Sequence, residues 1–179
     1  RNNTMILICS DNGPEPDAGR AGVLKGFKTH LYEGGIRSSL IVWAPGLMSK
    51  SAIGTRNKDS VFSAMDLTPS LLKLTGAQSP VDATYDGEVL LDVLLGRSNE
   101  SRKSPIYFSR PPDRKDYYGF KNLPDLAVRH EKWKLLCDYD GSRPELYDLS
   151  ADPGESNNLA DTQPDVAKDL LNKVVTWHK

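Results

Sequence analysis

The sequence predicts an α/β fold, in which part of a parallel β-sheet with helices is followed by a small antiparallel sheet and a terminal helix. Two apolar runs in the first half are continuous rather than alternating, which is typical of strands buried on both faces of a parallel sheet. In the second half, short strand-like segments alternate with turn residues. The last segment repeats its apolar residues with helical spacing.

The first apolar run covers residues 4–9 and contains Cys9, which we expect to be buried in the strand. It ends in the turn-forming segment Ser10-Asp11-Asn12-Gly13-Pro14. The second run covers residues 40–44 and is stopped by Pro45-Gly46. Two strands do not make a complete parallel sheet, so we expect them to need neighbours that this chain does not supply.

Two short helices are expected after the second strand. Thr68 is a suitable N-cap, and Pro69 suits the first helical position because it lacks an N–H. Gly76 follows the apolar residues of this segment and is expected to end the helix. Residues 89–95 are the second candidate helix.

The pattern changes near residue 100. The predicted antiparallel strands cover residues 106–108, 126–128, 133–137 and 146–147. Residues 130–131 and 140–141 are plausible hairpin connections, and residues 165–177 form an amphipathic helix. We therefore predict two domains: residues 1–100 belong to an α/β layer, and residues 101–179 form an antiparallel subdomain with a closing helix.

Composition excludes few classes of protein. The net charge is −1, from 23 Lys and Arg against 24 Asp and Glu, so the basic excess that is typical of nucleic-acid binding is missing. No apolar run approaches the roughly 18 residues of a membrane span. Two cysteines do not make a disulfide framework. Nothing in the sequence indicates an oligomeric state.

The turn after the first strand is the first candidate site. Asp11 and Asn12 stand at the carboxyl end of a predicted strand, which is where open parallel sheets bind ligands. Both residues offer the hard oxygen atoms that Ca²⁺ and Mg²⁺ prefer. All residues of Asp-Asn-Gly are also turn formers, so a plain turn is the alternative. Two ligands are in any case too few for Ca²⁺, which takes about six to eight oxygens.

The second candidate site is the segment of residues 28–37. The Lys28 ammonium can neutralise an anionic oxygen, and Gly34-Gly35 allows a sharp turn or a close backbone approach. Taken alone, this segment is a loop with a surface lysine.

The order of the motifs resembles the sulfatase family. The segments that carry the resemblance are Ser-Asp-Asn-Gly at 10–13, Lys-x-x-x-Tyr-Glu-Gly-Gly-Ile-Arg at 28–37, Met-Asp-Leu-Thr-Pro-Ser-Leu-Leu at 65–72, Trp-Lys-Leu-Leu at 133–136, Glu-Leu-Tyr-Asp-Leu at 145–149, Asp-Pro-Gly-Glu at 152–155 and Asn-Leu at 158–159. They span nearly the whole chain. The similarity is to the C-terminal part of bacterial-type enzymes, of the arylsulfatase and N-acetylgalactosamine-6-sulfatase kind.

The resemblance implies an alkaline-phosphatase-like α/β fold with a smaller C-terminal antiparallel sheet. It also implies that Asp11 and Asn12 bind an active-site Ca²⁺, and that Lys28 contacts the sulfate group and stabilises its negative charge. His30 either lines the substrate pocket or is a partly exposed loop histidine. Glu33 and Arg37 are expected to pair with each other or with the backbone and so to shape the loop.

The family's nucleophile is a formylglycine made within a Cys/Ser-x-Pro-x-Arg signature, and this sequence departs from it. Neither Cys9 nor Cys137 fits, and residues 109–113 lack the arginine and lie after the lysine motif. The chain also begins at Arg1, directly before a strand. We therefore expect a C-terminal fragment, inactive alone, whose nucleophile lies in a preceding N-terminal part.

The expected activity of the parent protein is hydrolysis of sulfate esters, on sulfated sugars or polysaccharides or on aryl sulfates. A non-catalytic, sulfatase-like carbohydrate-binding protein is one alternative. A phosphodiesterase or phosphonate hydrolase of the same superfamily is another. Family habit implies a periplasmic or secreted location.

Overall fold

A computed structural model describes residues 2–111 and 121–179, which divide into two compact units. The first unit consists of the chain up to Cys9 together with Leu40–Ser104. The second consists of Ser10–Ser39 and Pro105–Lys179. Residues 10–39, which lie before the predicted boundary near residue 100, thus pack with the second unit. The assignment of two domains stays a prediction.

The first unit contains a two-stranded antiparallel sheet. Strand β1 (Ile6–Cys9) pairs with β2 (Leu40–Trp43) in a register that places Leu7 opposite Val42. For these two strands, the antiparallel pairing corrects the parallel arrangement that the sequence predicts. The physical reason is that a continuous apolar run reports burial and carries no information about strand direction.

The side chains of this sheet are more exposed than the sequence predicts. Ile8 is 57% exposed and Ile41 is 58% exposed. Cys9 is also exposed, which corrects the expectation of a buried thiol. A pair of strands can bury its side chains only where other elements cover its faces, and the described residues leave these side chains uncovered.

Four helical segments complete the first unit. They are the 3₁₀ turns Lys50–Ala52 and Ala64–Asp66 and the helices α2 (Leu67–Thr75) and α3 (Leu91–Leu94). The first helix of the chain, α1 (Glu33–Ile36), belongs to the second unit. The N-cap of α2 is Asp66 rather than Thr68, because Ser63 and Asp66 form a capping box that starts the turn directly before the helix. Pro69 accordingly takes the third helical position. Gly76 ends α2 in the left-handed region, with φ 69°, as predicted.

The second unit is built on a four-stranded antiparallel meander, which confirms the predicted C-terminal sheet. Its strands follow the order of the chain: β3 (Ile106–Ser109), β4 (Leu126–His130), β5 (Trp133–Cys137) and β6 (Glu145–Asp148). The turn between β4 and β5 includes Glu131, with φ 53°. Gly141, with φ 82°, lies in the connection between β5 and β6.

Helix α4 (Pro164–His178) covers one face of the meander, as the amphipathic pattern predicts. Its buried residues Ala167, Leu170 and Val174 pack with residues of β4, β5 and β6, among them Leu126. Burying such side chains stabilises a fold by about 1.5–3 kcal/mol each for the larger ones. No helix in the described ranges is both long enough and apolar enough to cross a membrane.

The opposite face of the meander is covered by the loop that holds the candidate site. Ala127 of β4 and Leu136 of β5 point to this face, because side chains alternate along a strand. They pack with Leu31 and Tyr32, which belong to the segment containing the predicted lysine motif. That segment continues into the short helix α1 (Glu33–Ile36). The meander is therefore the platform of the candidate site.

Candidate functional site

The turn that follows β1 carries the predicted metal ligands. The Ser10 backbone N–H donates to the Ser38 hydroxyl at 2.9 Å, and the Ser10 hydroxyl donates to the Asn12 carbonyl at 2.8 Å. The side chain of Asp11 is exposed, and that of Asn12 is half-buried. The Asn12 amide nitrogen donates to the Gly13 carbonyl at 2.8 Å. Hydrogen bonds between side chains and backbone thus hold the turn, while the Asp11 carboxylate lies at the surface.

The same turn is joined directly to helix α1. The Gly13 N–H donates to the Gly35 carbonyl at 2.8 Å. A Cβ atom on Gly13 would lie 1.8 Å from the Gly34 carbonyl oxygen, far inside van der Waals contact. Gly13 and the Gly34-Gly35 pair therefore permit a backbone approach that no other residue type allows. This joint brings the two sequence-predicted halves of the site together.

Lys28 is tied to the loop that leaves the turn. Its backbone N–H donates to the Pro14 carbonyl at 2.9 Å. Its ammonium nitrogen lies 3.1 Å from a carboxylate oxygen of Glu15. Both side chains are half-buried. Glu15 was not among the residues predicted from the sequence, although it is a carboxylate four residues after Asp11.

His30 is buried, at 4% exposure, which excludes the exposed loop histidine that the sequence left open. Its backbone N–H donates to the Phe27 carbonyl at 2.9 Å, and its ring meets the rings of Phe27 and Tyr32 edge-on. Burial, and secondarily the positive charge of Arg110, lower the pKa of His30. The imidazole is therefore held as the neutral form near neutral pH. A role for His30 in the substrate pocket stays a prediction.

A first polar cluster fastens the loop to strand β6. The hydroxyls of Tyr32 and Tyr147 both donate to the carboxylate of Glu145, at 2.8 and 2.7 Å. The ammonium of Lys25 lies 3.9 Å from the centre of the Tyr32 ring and donates to the Tyr147 hydroxyl at 3.3 Å. Burial, together with the charge of Glu145, raises the pKa of both tyrosines. Both phenols therefore remain protonated donors.

A second polar cluster fastens helix α1 to strands β4 and β5 and to the connection between β6 and α4. The buried carboxylate of Glu33 lies 3.1 Å from the Lys134 ammonium and 3.1 Å from the Arg129 guanidinium. Arg37 approaches the same carboxylate at 3.7 Å, as expected from the sequence. Lys134 also lies 2.9 Å from Glu155. Lys134 of Trp-Lys-Leu-Leu thus pairs with Glu33 of Glu-Gly-Gly and with Glu155 of Asp-Pro-Gly-Glu, so the three motifs meet in the folded chain.

The donor set of the turn fits part of a calcium site. The Asp11 carboxylate and the Asn12 amide supply hard oxygen atoms of the kind that Ca²⁺ prefers. Within the described residues, no group of three or more His, Cys, Asp or Glu side chains is placed to hold a metal ion. Because Ca²⁺ takes about six to eight oxygens, these two residues can be only a fraction of its ligands.

The buried cysteine of the second unit is unsuited to act as a nucleophile. The Cys137 thiol is buried, and burial with nearby carboxylates raises its pKa to about 12. Ser109 precedes the buried Arg110, which donates to the carboxylate of Asp125 at 2.9 Å. Pro112 and Asp113, which complete the rejected signature match, lie outside the described residues.

Comparison with known proteins gives one consistent result. Residues 25–178 match the family model described as N-sulphoglucosamine sulphohydrolase, C-terminal. The chain is 31% identical to arylsulfatase A of Bos taurus, over 96% of this chain and 36% of that protein. It is 30% identical to an N-acetylgalactosamine-6-O-sulfatase of Bacteroides thetaiotaomicron, over 94% of this chain and 35% of that protein.

Solved structures agree with the sequence comparison. The protein Ps i-CgsB, solved in complex with k-i-k-neocarrahexaose, superimposes with a TM-score of 0.79 at 27% identity, over 98% of this chain and 36% of that one. A second structure, from work on the metabolism of multiple glycosaminoglycans by Bacteroides thetaiotaomicron, gives a TM-score of 0.76 at 28% identity, over 98% of this chain and 39% of that one. The chain spans about a third of the length of the curated relatives that it matches.

Proposed function

Because the chain belongs to the sulfatase family, we propose that the protein carrying it hydrolyses sulfate esters and that this chain supplies part of the active site. The observation that carries the proposal is the joint between the two halves of the site. The Gly13 N–H donates to the Gly35 carbonyl, and this contact connects the Asp11-Asn12 turn to the loop that contains Lys28. Two segments that are separate in the sequence thus form one backbone unit.

We also propose that the chain is the C-terminal part of a longer enzyme. Two observations support this: the relatives are about three times as long, and the strands of the two-stranded sheet expose large apolar side chains such as Ile8 and Ile41. Large exposed apolar surfaces are uncommon on complete monomers. The nucleophile, a formylglycine, and the remaining metal ligands would then come from a preceding part of the protein.

In this proposal, the residues of the chain stabilise the negative charge of the sulfate group and of the leaving oxygen. Asp11 and Asn12 would hold Ca²⁺, which as a Lewis acid stabilises negative charge on the sulfate oxygens when it is bound. Lys28 would neutralise charge that develops on the sulfate or on the leaving oxygen. Glu15, 3.1 Å from the Lys28 ammonium, would keep that side chain oriented. His30, buried and neutral, would offer a ring nitrogen rather than a positive charge.

The proposed substrate is a sulfated carbohydrate. The relatives include an N-acetylgalactosamine-6-O-sulfatase, and one structural neighbour was solved with k-i-k-neocarrahexaose. Both N-acetylgalactosamine and neocarrahexaose are carbohydrates, which supports a carbohydrate substrate. An aryl sulfate would serve as a convenient assay substrate, because other relatives are named arylsulfatases.

The proposal is tested with single substitutions in the full-length protein. Lys28→Ala should lower kcat/KM on an aryl sulfate about 100-fold or more, because it removes a charge that stabilises the transition state. Lys50→Ala, at an exposed lysine of the first unit, is the matched control and should leave the rate unchanged. Asp11→Ala should weaken calcium binding measured by calorimetry and reduce activity in parallel.

Two outcomes would contradict the proposal. A soluble, folded Lys28→Ala protein with the rate of the wild type would remove Lys28 from the site. Turnover by the 179-residue chain alone would show that the nucleophile lies within this sequence.

A further inference from the structure

Lys134 occupies an unusual position for a lysine. It lies on β5, its side chain is fully buried, and its ammonium is placed between two buried carboxylates. The distances are 3.1 Å to Glu33 and 2.9 Å to Glu155. Lysines are almost never fully buried unless they are paired. The three residues Glu33, Lys134 and Glu155 are called the carboxylate clamp below.

Burying the charges of the clamp costs free energy of folding, which indicates a role other than stabilising the fold. Removing charges from water opposes folding, and apolar residues of the same volume often serve a core equally well. The backbone of Glu155 lies in the left-handed region, with φ 51°, which residues other than glycine rarely adopt. Burial raises the pKa of Glu155, although Lys134 opposes that effect. Buried ionic groups are retained in some proteins because they fix one geometry.

The geometry that the clamp fixes is that of helix α1. Glu155 accepts the Glu33 backbone N–H at 2.6 Å, so the clamp holds the first residue of α1 by its main chain and by its side chain. Two residues further along, the Gly35 carbonyl accepts the Gly13 N–H of the Asp11-Asn12 turn. The Gly34 N–H, in the same helix, donates to the Lys25 carbonyl at 2.7 Å.

These hydrogen bonds connect the clamp to both halves of the site. One path runs from Glu33 through Gly35 and Gly13 to the metal-binding turn. The other runs from Glu33 through Gly34 and Lys25 to the start of the lysine loop. Arg129 and Arg37 add further charge pairs on Glu33, so its carboxylate stays compensated when Lys134 is changed.

We propose that Lys134 and Glu155 are positioning residues, which hold helix α1 in place and thereby align the Asp11-Asn12 turn with Lys28. Lys134 lies on the C-terminal meander and Glu155 in the connection between β6 and α4, and both act through Glu33 without contacting the substrate. This inference rests on the proposed function, since it assigns a task to residues that support that site.

The test uses the double substitution Lys134→Met/Glu155→Gln in the full-length protein. The double change removes one charge of each sign, so no unpaired buried charge remains, and the amide introduced by Glu155→Gln retains an oxygen that can accept the Glu33 N–H. The amides of Gly13, Gly34 and Gly35 should exchange with deuterium at least about 10-fold faster. On an aryl sulfate, kcat should fall about 10- to 100-fold, because misplacement of catalytic groups by about 1 Å has effects of this size.

Val174→Ala is the matched control. It truncates a fully buried residue of α4 in the core on the other face of the meander. It should lower the thermal midpoint, leave the Gly13 and Gly35 amides protected below that midpoint, and leave kcat unchanged. If the double variant does not fold, the single substitution Glu155→Gln, which removes one carboxylate of the clamp and leaves Lys134 paired with Glu33, replaces it and should give smaller changes of the same kind.

The outcomes separate the two proposals. Unchanged exchange at Gly13 and Gly35 in the double variant overturns the positioning role, whatever the activity. Faster exchange with an unchanged kcat also overturns it. If the wild type shows no sulfatase activity, the proposed function fails, while the exchange measurement still decides whether the clamp holds the two segments.

Discussion

At the scale of single residues, burial decides which side chains can react. Cys9 is exposed at the end of β1, whereas Cys137 is fully buried between β4 and α4 residues. The surroundings of Cys137 also raise its pKa to about 12, so almost none of it is thiolate near neutral pH. The sequence placed Cys9 in an apolar run and so predicted the opposite environment for it.

The two thiols should differ in reactivity. When the native 179-residue chain is treated with iodoacetamide near pH 8, Cys9 should be alkylated and Cys137 should stay unmodified. In urea both should react. Peptide mass spectrometry measures the two sites separately. Equal labelling of both cysteines in the native chain would contradict the burial of Cys137.

His30 makes the stability depend on pH with a defined sign. Its pKa is lowered in the fold by burial and by Arg110, so in the window below the unfolded value of about 6.5 the unfolded chain binds more protons. The free energy of unfolding should therefore fall as the pH is lowered through that window. A single group contributes at most about 1.4 kcal/mol per pH unit.

The prediction is checked by urea unfolding of the wild type and of His30→Gln at pH 7.5 and pH 5.5. The wild type should lose more stability than the variant on acidification, by up to about 1 kcal/mol. His130 and His178 are present in both proteins, so their contribution cancels in the comparison. An identical loss in both proteins would show that His30 is not held neutral.

At the scale of elements, helix α1 depends on the close backbone packing at Gly35 more than on its helix propensity. A helix of four residues has almost no stability of its own. A Cβ atom on Gly35 would lie 2.1 Å from the His30 carbonyl oxygen and 2.4 Å from that of Phe27. Tight packing of backbone on backbone, together with the clamp, therefore holds α1 in place.

Gly35→Ala should destabilise the protein by about 3 kcal/mol or more, because two backbone oxygens, those of Phe27 and His30, must move. Gly22→Ala is the control: open space surrounds Gly22, and only its positive φ of 67° opposes the substitution, at about 1–2 kcal/mol. Chemical unfolding of both variants measures the difference. Equal stability of the two variants would contradict the close approach at Gly35.

Most elements of the second unit could be predicted from local patterns. The strands alternate with turn residues, and α4 repeats apolar positions every three to four residues, so each signal lies within a short window. The sequence misplaced the beginning of α2. The Ser63–Asp66 capping box starts a 3₁₀ turn directly before the helix, so α2 begins at Leu67 with Asp66 as its N-cap, rather than after Thr68. The direction of β1 against β2 could not be predicted, because pairing partners are set by contacts distant in sequence.

At the scale of the whole molecule, the chain contains two compact units that do not follow the order of the sequence. The segment of residues 10–39 leaves the first strand and packs with the C-terminal meander before the chain returns to β2. The candidate site belongs wholly to this second unit. The meander therefore supports the site, although it contributes none of the sequence-predicted ligands.

The sequence by itself determined the family, the residue types of the candidate site and the antiparallel C-terminal sheet. These follow from motif order, from the chemistry of Asp11, Asn12 and Lys28, and from short-range periodicity. Only the tertiary structure decided that Gly13 meets Gly35 and that Glu33 meets Lys134. Such contacts join residues 22 and 101 positions apart, and no local pattern encodes which of many charged or small residues will meet.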